Sequence, residues 1–319
     1  MKKSTKAVLA AFCGSLALAG VSAQTLPSAS FTTLGTNSGP IPNPRRGEPA
    51  NLLRADGQTI LIDAGDGAAW QLGKSGVELG KINTIFISHL HFDHTGGLFA
   101  VLGQRFQTLN STPITIYGPR GTKAVVAGLV TALTASVEGA MNMRARMPGA
   151  PGDNIKVVEL DDGASFALGQ IRVTAASNSH FSATPGSEAT KRATLSFRFD
   201  TPGRSIVYTG DTGPSAAVEK LAKNADLLVS EIMDPDEAIA RRRKQTPDRP
   251  EAVWKMISEH FYKEHLSPTE VGLLASRANV KMLVLTHNAL PPEIIDRART
   301  QIQANFKGPI QFAEDLNSF

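Results

Sequence analysis

The 319-residue sequence contains one cysteine, few aromatic residues and almost no excess of charge. A single cysteine, Cys13, excludes a disulfide framework and any metal site built on several thiolates. Any metal ion must therefore be held by histidine, aspartate and glutamate. Lys and Arg number 33 against 29 Asp and Glu, a balance that gives no argument for a polyanionic partner. With 41% hydrophobic residues, the composition predicts a globular protein with a sizeable core.

The first 23 residues differ in composition from the rest. Three lysines within the first six residues precede an almost unbroken apolar run over Ala7–Leu18, and the small residues Val21-Ser22-Ala23 follow. This order predicts a secretory signal peptide over residues 1–23. An N-terminal membrane anchor is the alternative, but the run is short for a bilayer, which takes ~20 apolar residues. We therefore expect a periplasmic or secreted protein that loses Cys13 and three lysines and keeps no membrane contact after cleavage.

Residues 24–319 alternate strand-like and helix-like segments without a low-complexity linker. Asp56-Gly57, between two short apolar runs, is a strong hairpin signal. Residues 156–176 are expected to form an antiparallel meander with a turn at Asp162-Gly163. A helical insert is expected at about residues 234–264. The pattern predicts a single α/β domain of two packed sheets flanked by helices.

Four potential metal ligands occur within six residues, in Ser88-His89-Leu90-His91-Phe92-Asp93-His94. The run follows a predicted strand and precedes a Gly-Gly turn into a helix, so a short loop can aim its side chains at one point. His89 and His91 are two residues apart and project the same way from an extended segment. Asp93 and His94, at the turn, can face a second metal ion. Imidazole and carboxylate suit zinc at neutral pH, and a polar surface turn explains so dense a cluster poorly.

Three further ligand candidates each follow a predicted strand. They are His180 after residues 170–176, Asp211 after residues 204–209, and His287 after residues 281–285. One such residue alone would usually be a hydrogen-bonded loop residue. Three of them, in this order after the first motif, predict a dinuclear metal site.

The order His-x-His-x-Asp-His, His, Gly-Asp-Thr and Thr-His closely resembles the metallo-β-lactamase superfamily, over nearly all of residues 24–319. The segment Leu61-Ile62-Asp63-Ala64-Gly65 also matches, and the resemblance implies that Asp63 braces the ligand loop. It further implies a four-layer αββα sandwich with the site at one edge of the sheets. It implies two metal ions, zinc in the first instance, with manganese and iron as alternatives. His89, His91 and His180 would hold one ion, Asp93, His94 and His287 the other, and Asp211 would bridge both.

The same resemblance implies a hydrolase. A water held between two cations loses a proton near neutral pH. The resulting bridging hydroxide attacks a carbonyl, phosphoryl or sulfuryl centre, and the metals stabilise the charge that develops. Asp93 and Asp211 are therefore catalytic as well as metal-binding candidates.

Two weaker motifs resemble the ribonuclease Z-like branch of the superfamily. Ser230-Glu231 stands where that branch has His-Glu-Ala-Thr, and His265-Leu266-Ser267 where it has His-Ser-Thr, so both matches are partial. This resemblance implies that His265 donates a proton to the leaving oxygen or stabilises the anionic group of the substrate, and that Glu231 orients His265. The alternative is that His265 is a helix-start residue bonded to backbone.

Two features narrow the expected substrate. Only about thirty residues separate His180 from Asp211, which leaves no room for the long basic arm that tRNA-processing members normally carry there, and export removes the protein from cytoplasmic tRNA. We therefore expect no nucleic-acid partner, and a small anionic ester as substrate. Exported members of the branch suggest a phosphodiesterase or an arylsulfatase.

Other functions stay open. A β-lactam or lactone hydrolase is the alternative, less favoured because β-lactamases generally lack the bridging carboxylate that Asp211 supplies. A non-catalytic metal- or ligand-binding protein on the same fold is the second alternative. The residues do not decide between phosphorus, sulfur and carbon as the attacked centre, and they leave a homodimer open.

The segment between the two partial motifs carries secondary candidates. The basic run Arg241-Arg242-Arg243-Lys244 could draw anionic substrates toward the metals, and a solvated helix end explains it equally well. Arg45 and Arg46 are similar candidates for anion contact. Three aromatic residues are expected in the core rather than lining the substrate site: Trp254, Phe261 and Tyr262. His260 is expected on the surface.

Overall fold

The computed structural model describes residues 29–138, 149–181 and 194–319. The predicted signal peptide, with Cys13, lies outside these ranges. Two seven-stranded sheets pack face to face. In the described ranges, no helix is both long enough and apolar enough to cross a bilayer.

The first sheet comes mainly from the N-terminal half of the chain. Its strands are β1 Ala29–Gly35, β2 Ala50–Ala55, β3 Gln58–Ala64, β4 Thr84–Phe86, β5 Ile114–Gly118, β6 Ile155–Glu159 and β14 Asn317–Ser318, in the order β14-β1-β2-β3-β4-β5-β6. β2 and β3 form the predicted antiparallel hairpin. Asp56 and Gly57 both have positive φ, 50° and 70°, which the tight turn requires. From β3 to β6 the strands are parallel.

The second sheet is built from the C-terminal half. Its strands are β7 Ser165–Leu168, β8 Ile171–Ser177, β9 Leu195–Thr201, β10 Arg204–Tyr208, β11 Leu227–Ile232, β12 Leu283–Asn288 and β13 Ile310–Phe312, in the order β13-β12-β11-β10-β9-β8-β7. β7 to β10 are antiparallel and β10 to β13 parallel.

The predicted meander over residues 156–176 is wrong for its first strand. β6 pairs in parallel with β5 of the first sheet, with Thr115 opposite Lys156, and only β7 and β8 continue antiparallel into β9. A short strand's sequence indicates which residues are apolar, but it does not determine which strand becomes its neighbour.

Helices cover the outer face of each sheet. They are α1 Ala68–Lys74, α2 Phe92–Thr95, α3 Leu98–Gln107, α4 Thr122–Glu138, α5 Ala216–Leu221, α6 Pro235–Gln245, α7 Glu251–Glu264, α8 Pro268–Arg277 and α9 Ile295–Asn305. Phe31 and Phe86 of the first sheet meet Phe197 and Phe199 of the second in the central core. Separate apolar clusters join α1, α3 and α4 to the first sheet and α5, α8 and α9 to the second. The predicted αββα sandwich is thus confirmed.

The site lies at the edge where parallel strands of both sheets end. β8 and β10 run in the same direction, because both are antiparallel to β9. Two helices, α6 and α7, occupy the segment expected as an insert. Asp234 is the N-cap of α6: its carboxylate accepts a hydrogen bond from the Glu237 amide, and Pro235 is the first helical residue.

Candidate metal centre

The ligand run between β4 and α2 is held by Asp63 at the end of β3. Asp63 is fully buried and has a φ of 58°. Its carboxylate accepts hydrogen bonds from the Ser88 amide at 2.7 Å, the Ser88 hydroxyl at 2.8 Å, His94 Nδ1 at 2.7 Å and the Tyr208 hydroxyl at 2.7 Å. Because Nδ1 of His94 is engaged in this way, its Nε2 is the nitrogen left to bind a metal.

The first ligand cluster consists of His89, His91 and His180, whose ligand atoms lie within 4.8 Å of one another. His91 Nδ1 is 3.0 Å from His89 Nε2 and 3.1 Å from His180 Nε2. Tetrahedral zinc with Zn–N bonds of 2.0–2.1 Å places two nitrogens roughly 3.3 Å apart, so this spacing suits one cation. His180 donates from Nδ1 to the backbone oxygen of Glu264 at 3.0 Å, which presents its Nε2 to the cluster.

The second cluster consists of Asp93, His94, Asp211 and His287. Asp211 Oδ1 is 3.3 Å from His94 Nε2, and its Oδ2 is 3.2 Å from His287 Nε2. The same Oδ2 lies 3.9 Å from Nε2 of both His89 and His180 of the first cluster. The Asp211 carboxylate therefore stands between the two clusters, where a bridging ligand is needed.

Unpaired buried atoms indicate that this donor set fits a metal. His94 Nε2 and Asp211 Oδ1 are buried and have no hydrogen-bond partner among the described residues. Buried polar atoms without partners are rare and call for an explanation, and two ligand atoms facing each other at 3.3 Å are explained by a cation between them. Imidazole and carboxylate ligands accept zinc, manganese and iron.

The electrostatics differ between the clusters. Burial lowers the pKa of His89 well below its ordinary value and that of His180 to about 3, so both are neutral and ready to bind a cation. Burial opposes protonation of His287 too, but Asp211, Asp93 and Glu231 together outweigh it and raise the pKa of His287 to about 9. Burial likewise raises the pKa of Asp211, yet His287 and His94 bring it well below its usual value.

Next to the clusters, Glu231 and His265 form a buried pair. Glu231 Oε2 is 2.6 Å from His265 Nδ1, and its Oε1 accepts the Thr212 amide at 2.6 Å. A ligand nitrogen of His265 also lies within 4.8 Å of the ligand atoms of His180 and Asp211. The structure therefore brings the two partial motifs together beside the metal ligands.

The site opens into a cavity of about 390 Å³. Besides the ligands it is lined by Gly39, Pro40, Phe92, Met233, Arg242, Ile257, His260, Phe261 and His265. One expectation for this region needs correction, because Tyr262, expected in the core, is 49% exposed. Trp254 and Phe261 are core, 1% and 5% exposed, although Phe261 also lines the cavity. The His260 side chain is 37% exposed and borders the cavity, with its ring centroid 5.2 Å from that of His265. Helix α7 is amphipathic, and its periodicity alone does not tell which apolar side chains border a cavity.

The arginines expected to contact an anionic substrate lie in different places. Arg242 lines this cavity, whereas Arg243 forms an exposed ion pair with Glu251 at 2.7 Å. Arg46 is partly buried and lines a neighbouring cavity. Arg45 is exposed.

Sequence reasoning missed two residues that shape the site. Tyr208 faces the inter-sheet core and reaches across to Asp63, a contact that depends on how the sheets pack and leaves no sequence signal. Gly39 lies against Asp93, and a Cβ at this position would overlap the Asp93 side chain. Its only sequence signal was the Gly39-Pro40 pair, which lies between β1 and the β2–β3 hairpin.

Comparisons with known proteins agree with this geometry. The family model described as the beta-lactamase superfamily domain matches residues 58–288. Ribonuclease Z of Mycobacterium avium (strain 104) is 30% identical over 90% of this chain and 96% of its own length, and that of Mycolicibacterium gilvum (strain PYR-GCK) is 30% identical over 90% and 94%. Among solved structures, the short form of human tRNase Z has 26% identity and a TM-score of 0.61, covering 91% of this chain and 98% of its own. The metallo-β-lactamase fold protein YhfI from Bacillus subtilis has 18% identity and a TM-score of 0.65, with the same coverage.

These relatives correct the expectation that nucleic acid is no partner. The two relatives at 30% identity are named Ribonuclease Z, and they match this chain over nearly their whole length. The brevity of the segment between His180 and Asp211 therefore does not exclude an RNA substrate.

Proposed function

The chain belongs to the beta-lactamase superfamily as a hydrolase of the metallo-β-lactamase fold, and from this premise we propose that it hydrolyses phosphodiester bonds at a two-metal centre. The observation that carries the proposal is the position of Asp211. Its two oxygens lie between the histidines of both clusters, at 3.2 to 3.9 Å from four ring nitrogens. A carboxylate held there can bridge two cations, which is the arrangement used to clamp an in-line phosphoryl displacement.

The relatives support phosphorus as the attacked centre. Ribonucleases Z at 30% identity act, by their name, on RNA, whose backbone is a phosphodiester. We therefore propose a phosphodiester substrate, either a small one or an RNA. An aryl sulfate and a β-lactam are retained as arms of the test.

The two cations, when bound, would supply an activated water and stabilise the charge of the transition state. His89, His91 and His180 would hold one, and Asp93, His94 and His287 the other. The chain itself fixes their orientation. Asp63 accepts a hydrogen bond from Nδ1 of His94, and the Glu264 carbonyl accepts one from Nδ1 of His180. Each ring therefore presents its Nε2 to the metal.

We assign proton donation to the His265–Glu231 pair. Burial disfavours the charged form of each group: it lowers the pKa of His265 to about 3 and raises the pKa of Glu231 well above its ordinary value. Glu231 engages Nδ1 of His265 and leaves Nε2 free for the cavity. A hydrogen on Nε2 can bond a non-bridging oxygen, or it can pass to the leaving oxygen while Nδ1 takes up the proton of Glu231, so that the imidazole stays neutral.

The proposal is tested by hydrolysis rates of the metal-loaded protein, residues 24–319, beside His91→Ala. The substrates are bis(p-nitrophenyl) phosphate, a tRNA precursor with a 3′ extension, p-nitrophenyl sulfate and nitrocefin. Turnover of either phosphodiester that is lost in His91→Ala supports the proposal, and the two arms separate a small substrate from RNA. Turnover of only the sulfate or only nitrocefin would replace it by the corresponding alternative. Two bound metals with no turnover at all would favour a binding protein.

The role of His265 needs its own measurement. His265→Gln should slow cleavage of a dinucleotide, whose alkoxide leaving group must be protonated, by about 10²–10⁴-fold. It should change cleavage of bis(p-nitrophenyl) phosphate far less, because p-nitrophenolate leaves without a proton. Equal losses on both substrates would make His265 a structural residue.

We also propose that residues 1–23 export the protein to the periplasm or beyond. The support is the basic, apolar and small-residue order of that segment. Fusion of residues 1–30 to alkaline phosphatase, which is active only after export, tests it. An inactive fusion, with the uncleaved protein in the cytoplasm, would refute export.

A further inference from the structure

A second cavity, of about 280 Å³, adjoins the metal-site cavity. Its walls come from residues 37–46 after β1, from α6 and from residues 288–292 at the end of β12. Gly39, Met233, Arg242 and Phe261 line both cavities. A molecule bound at the metals can therefore extend past Arg242 into the second cavity, which we call the arginine pocket.

The arginine pocket collects positive charge without acidic residues. Arg46, from the segment after β1, and Arg241 and Arg242, from α6, line it, and no Asp or Glu does. Within the described ranges none of the three forms an ion pair, whereas Arg243, the next residue on α6, pairs with Glu251. The nearby carboxylate of Asp315 already accepts bonds from the Thr36 and Gly47 amides.

The guanidinium groups are held in a way that favours an anion. Arg242 stacks over Phe261, with Cζ 5.0 Å from the ring centroid, and Arg46 is partly buried beside the Thr36 carbonyl. Burial lowers the pKa of both Arg46 and Arg242, and Arg241 lowers that of Arg242 further. Partly buried cations that repel one another are stabilised when an anion enters between them.

We propose that the arginine pocket binds a second phosphate of the substrate, adjacent to the phosphodiester that is hydrolysed at the metals. The proposal rests on the proposed function and specifies its substrate class: phosphodiesters that carry at least one further phosphate. Guanidinium forks match the oxygens of a phosphate in bidentate fashion. Simple aryl sulfates and β-lactams have no group of this kind, and bis(p-nitrophenyl) phosphate would leave the pocket unused.

The kinetic test compares the dinucleotide UpU with pUpU and UpUp, which add a terminal phosphate at either end, on the metal-loaded protein. The terminal phosphate should lower KM at least tenfold for one of the two, about the effect of one well-formed charge-assisted contact. In the double variant Arg46→Gln/Arg241→Gln this advantage should disappear. Arg243→Gln is the control, since it removes one positive charge from the same helix as Arg241 but outside the pocket, and it should keep the advantage.

A binding measurement separates this inference from the proposed function. A UpU analogue with a non-hydrolysable methylenephosphonate link, with and without the terminal phosphate, is titrated into each protein by calorimetry. The phosphate should tighten binding in the wild type and Arg243→Gln and not in the double variant, even if no phosphodiester is turned over. Metal content and the melting temperature show that the double variant is folded. An advantage retained by the double variant, or absent from the wild type with both terminal phosphates, would refute the arginine pocket.

Discussion

Replacement of Asp63 by Asn is the sharpest test of how the second metal cluster is built. The Asp63 carboxylate accepts four hydrogen bonds, from Ser88 N, Ser88 Oγ, Tyr208 OH and His94 Nδ1. Three of these reach the same oxygen, Oδ2, and one reaches Oδ1. Asparagine has almost the same shape but only one accepting oxygen.

Neither orientation of the asparagine amide satisfies these donors. If its oxygen accepts from the Ser88 amide, its NH₂ faces His94 Nδ1–H and the two hydroxyls. The hydroxyls can rotate to accept, but His94 can accept only by moving its proton to Nε2, the nitrogen that must bind the metal. If the amide is turned over, its NH₂ meets the Ser88 N–H, which cannot accept at all. The substitution therefore costs either the metal-binding tautomer of His94 or a buried hydrogen bond.

The expected loss falls on one metal. Removing an outer partner of a metal-binding histidine typically weakens metal affinity 10–100-fold, or about 1.4–2.8 kcal/mol. Zinc titration against a competing chelator should show the binding step assigned to Asp93, His94 and His287 weakened by that factor. The step assigned to His89, His91 and His180 should move little, because none of these rings contacts Asp63.

Asp66→Asn is the matched control. It removes the same charge three residues away, from an exposed side chain, and should leave both binding steps unchanged. If Asp63→Asn bound two zinc ions as tightly as the wild type, the tautomer argument would be refuted. If both steps weakened equally, Asp63 would support the fold of the whole loop rather than one ligand.

Three further outcomes follow from the structure. Gly39→Ala should weaken the second metal at least about tenfold, because the new Cβ overlaps the Asp93 side chain; an unchanged zinc titration would contradict this. Ser267→Ala removes a capping box at the start of α8 and should lower the free energy of unfolding by about 1 kcal/mol, measured by urea denaturation. A loss smaller than the error of that measurement would mean that the cap does not stabilise the protein. Although burial lowers the pKa of His287, neighbouring carboxylates raise it to about 9, so metal uptake at pH 7.5 should release its proton. Zinc affinity should then rise with pH up to about 9, and an affinity independent of pH between 7 and 9 would contradict it.

The clustering of the candidate metal ligands was predictable from the sequence, since four of them are concentrated in one short motif. His89 to His94 are neighbours in the chain, so no long-range packing is needed to bring them together. His180 and Asp211 each follow a strand of recognisable length and composition, and His287 lies near the end of another. Parallel strands of one sheet end at a common edge, which is why the ligands meet. The hairpin at Asp56-Gly57 was equally local, because a two-residue turn needs positive φ at both positions.

Contacts between distant segments were not predictable in this way. The pairing of β6 with β5, the bond from Tyr208 to Asp63, and the meeting of Arg46 with α6 all join residues far apart in the chain. None is required by residue type or periodicity, since each depends on how one element is placed against another.

The sequence by itself determined the chemistry of this protein: which side chains can hold cations, which segments form strands and helices, and, by resemblance, the αββα fold. Those properties follow from residue type and from periods of 2 and 3.6 residues, which act over a few positions. The tertiary structure alone decided that His260 and Phe261 border the cavity, and that three arginines line a pocket beside it. These arrangements arise when two sheets and their helices pack, because packing brings side chains from distant segments within hydrogen-bonding reach while burial removes the water that would otherwise screen them.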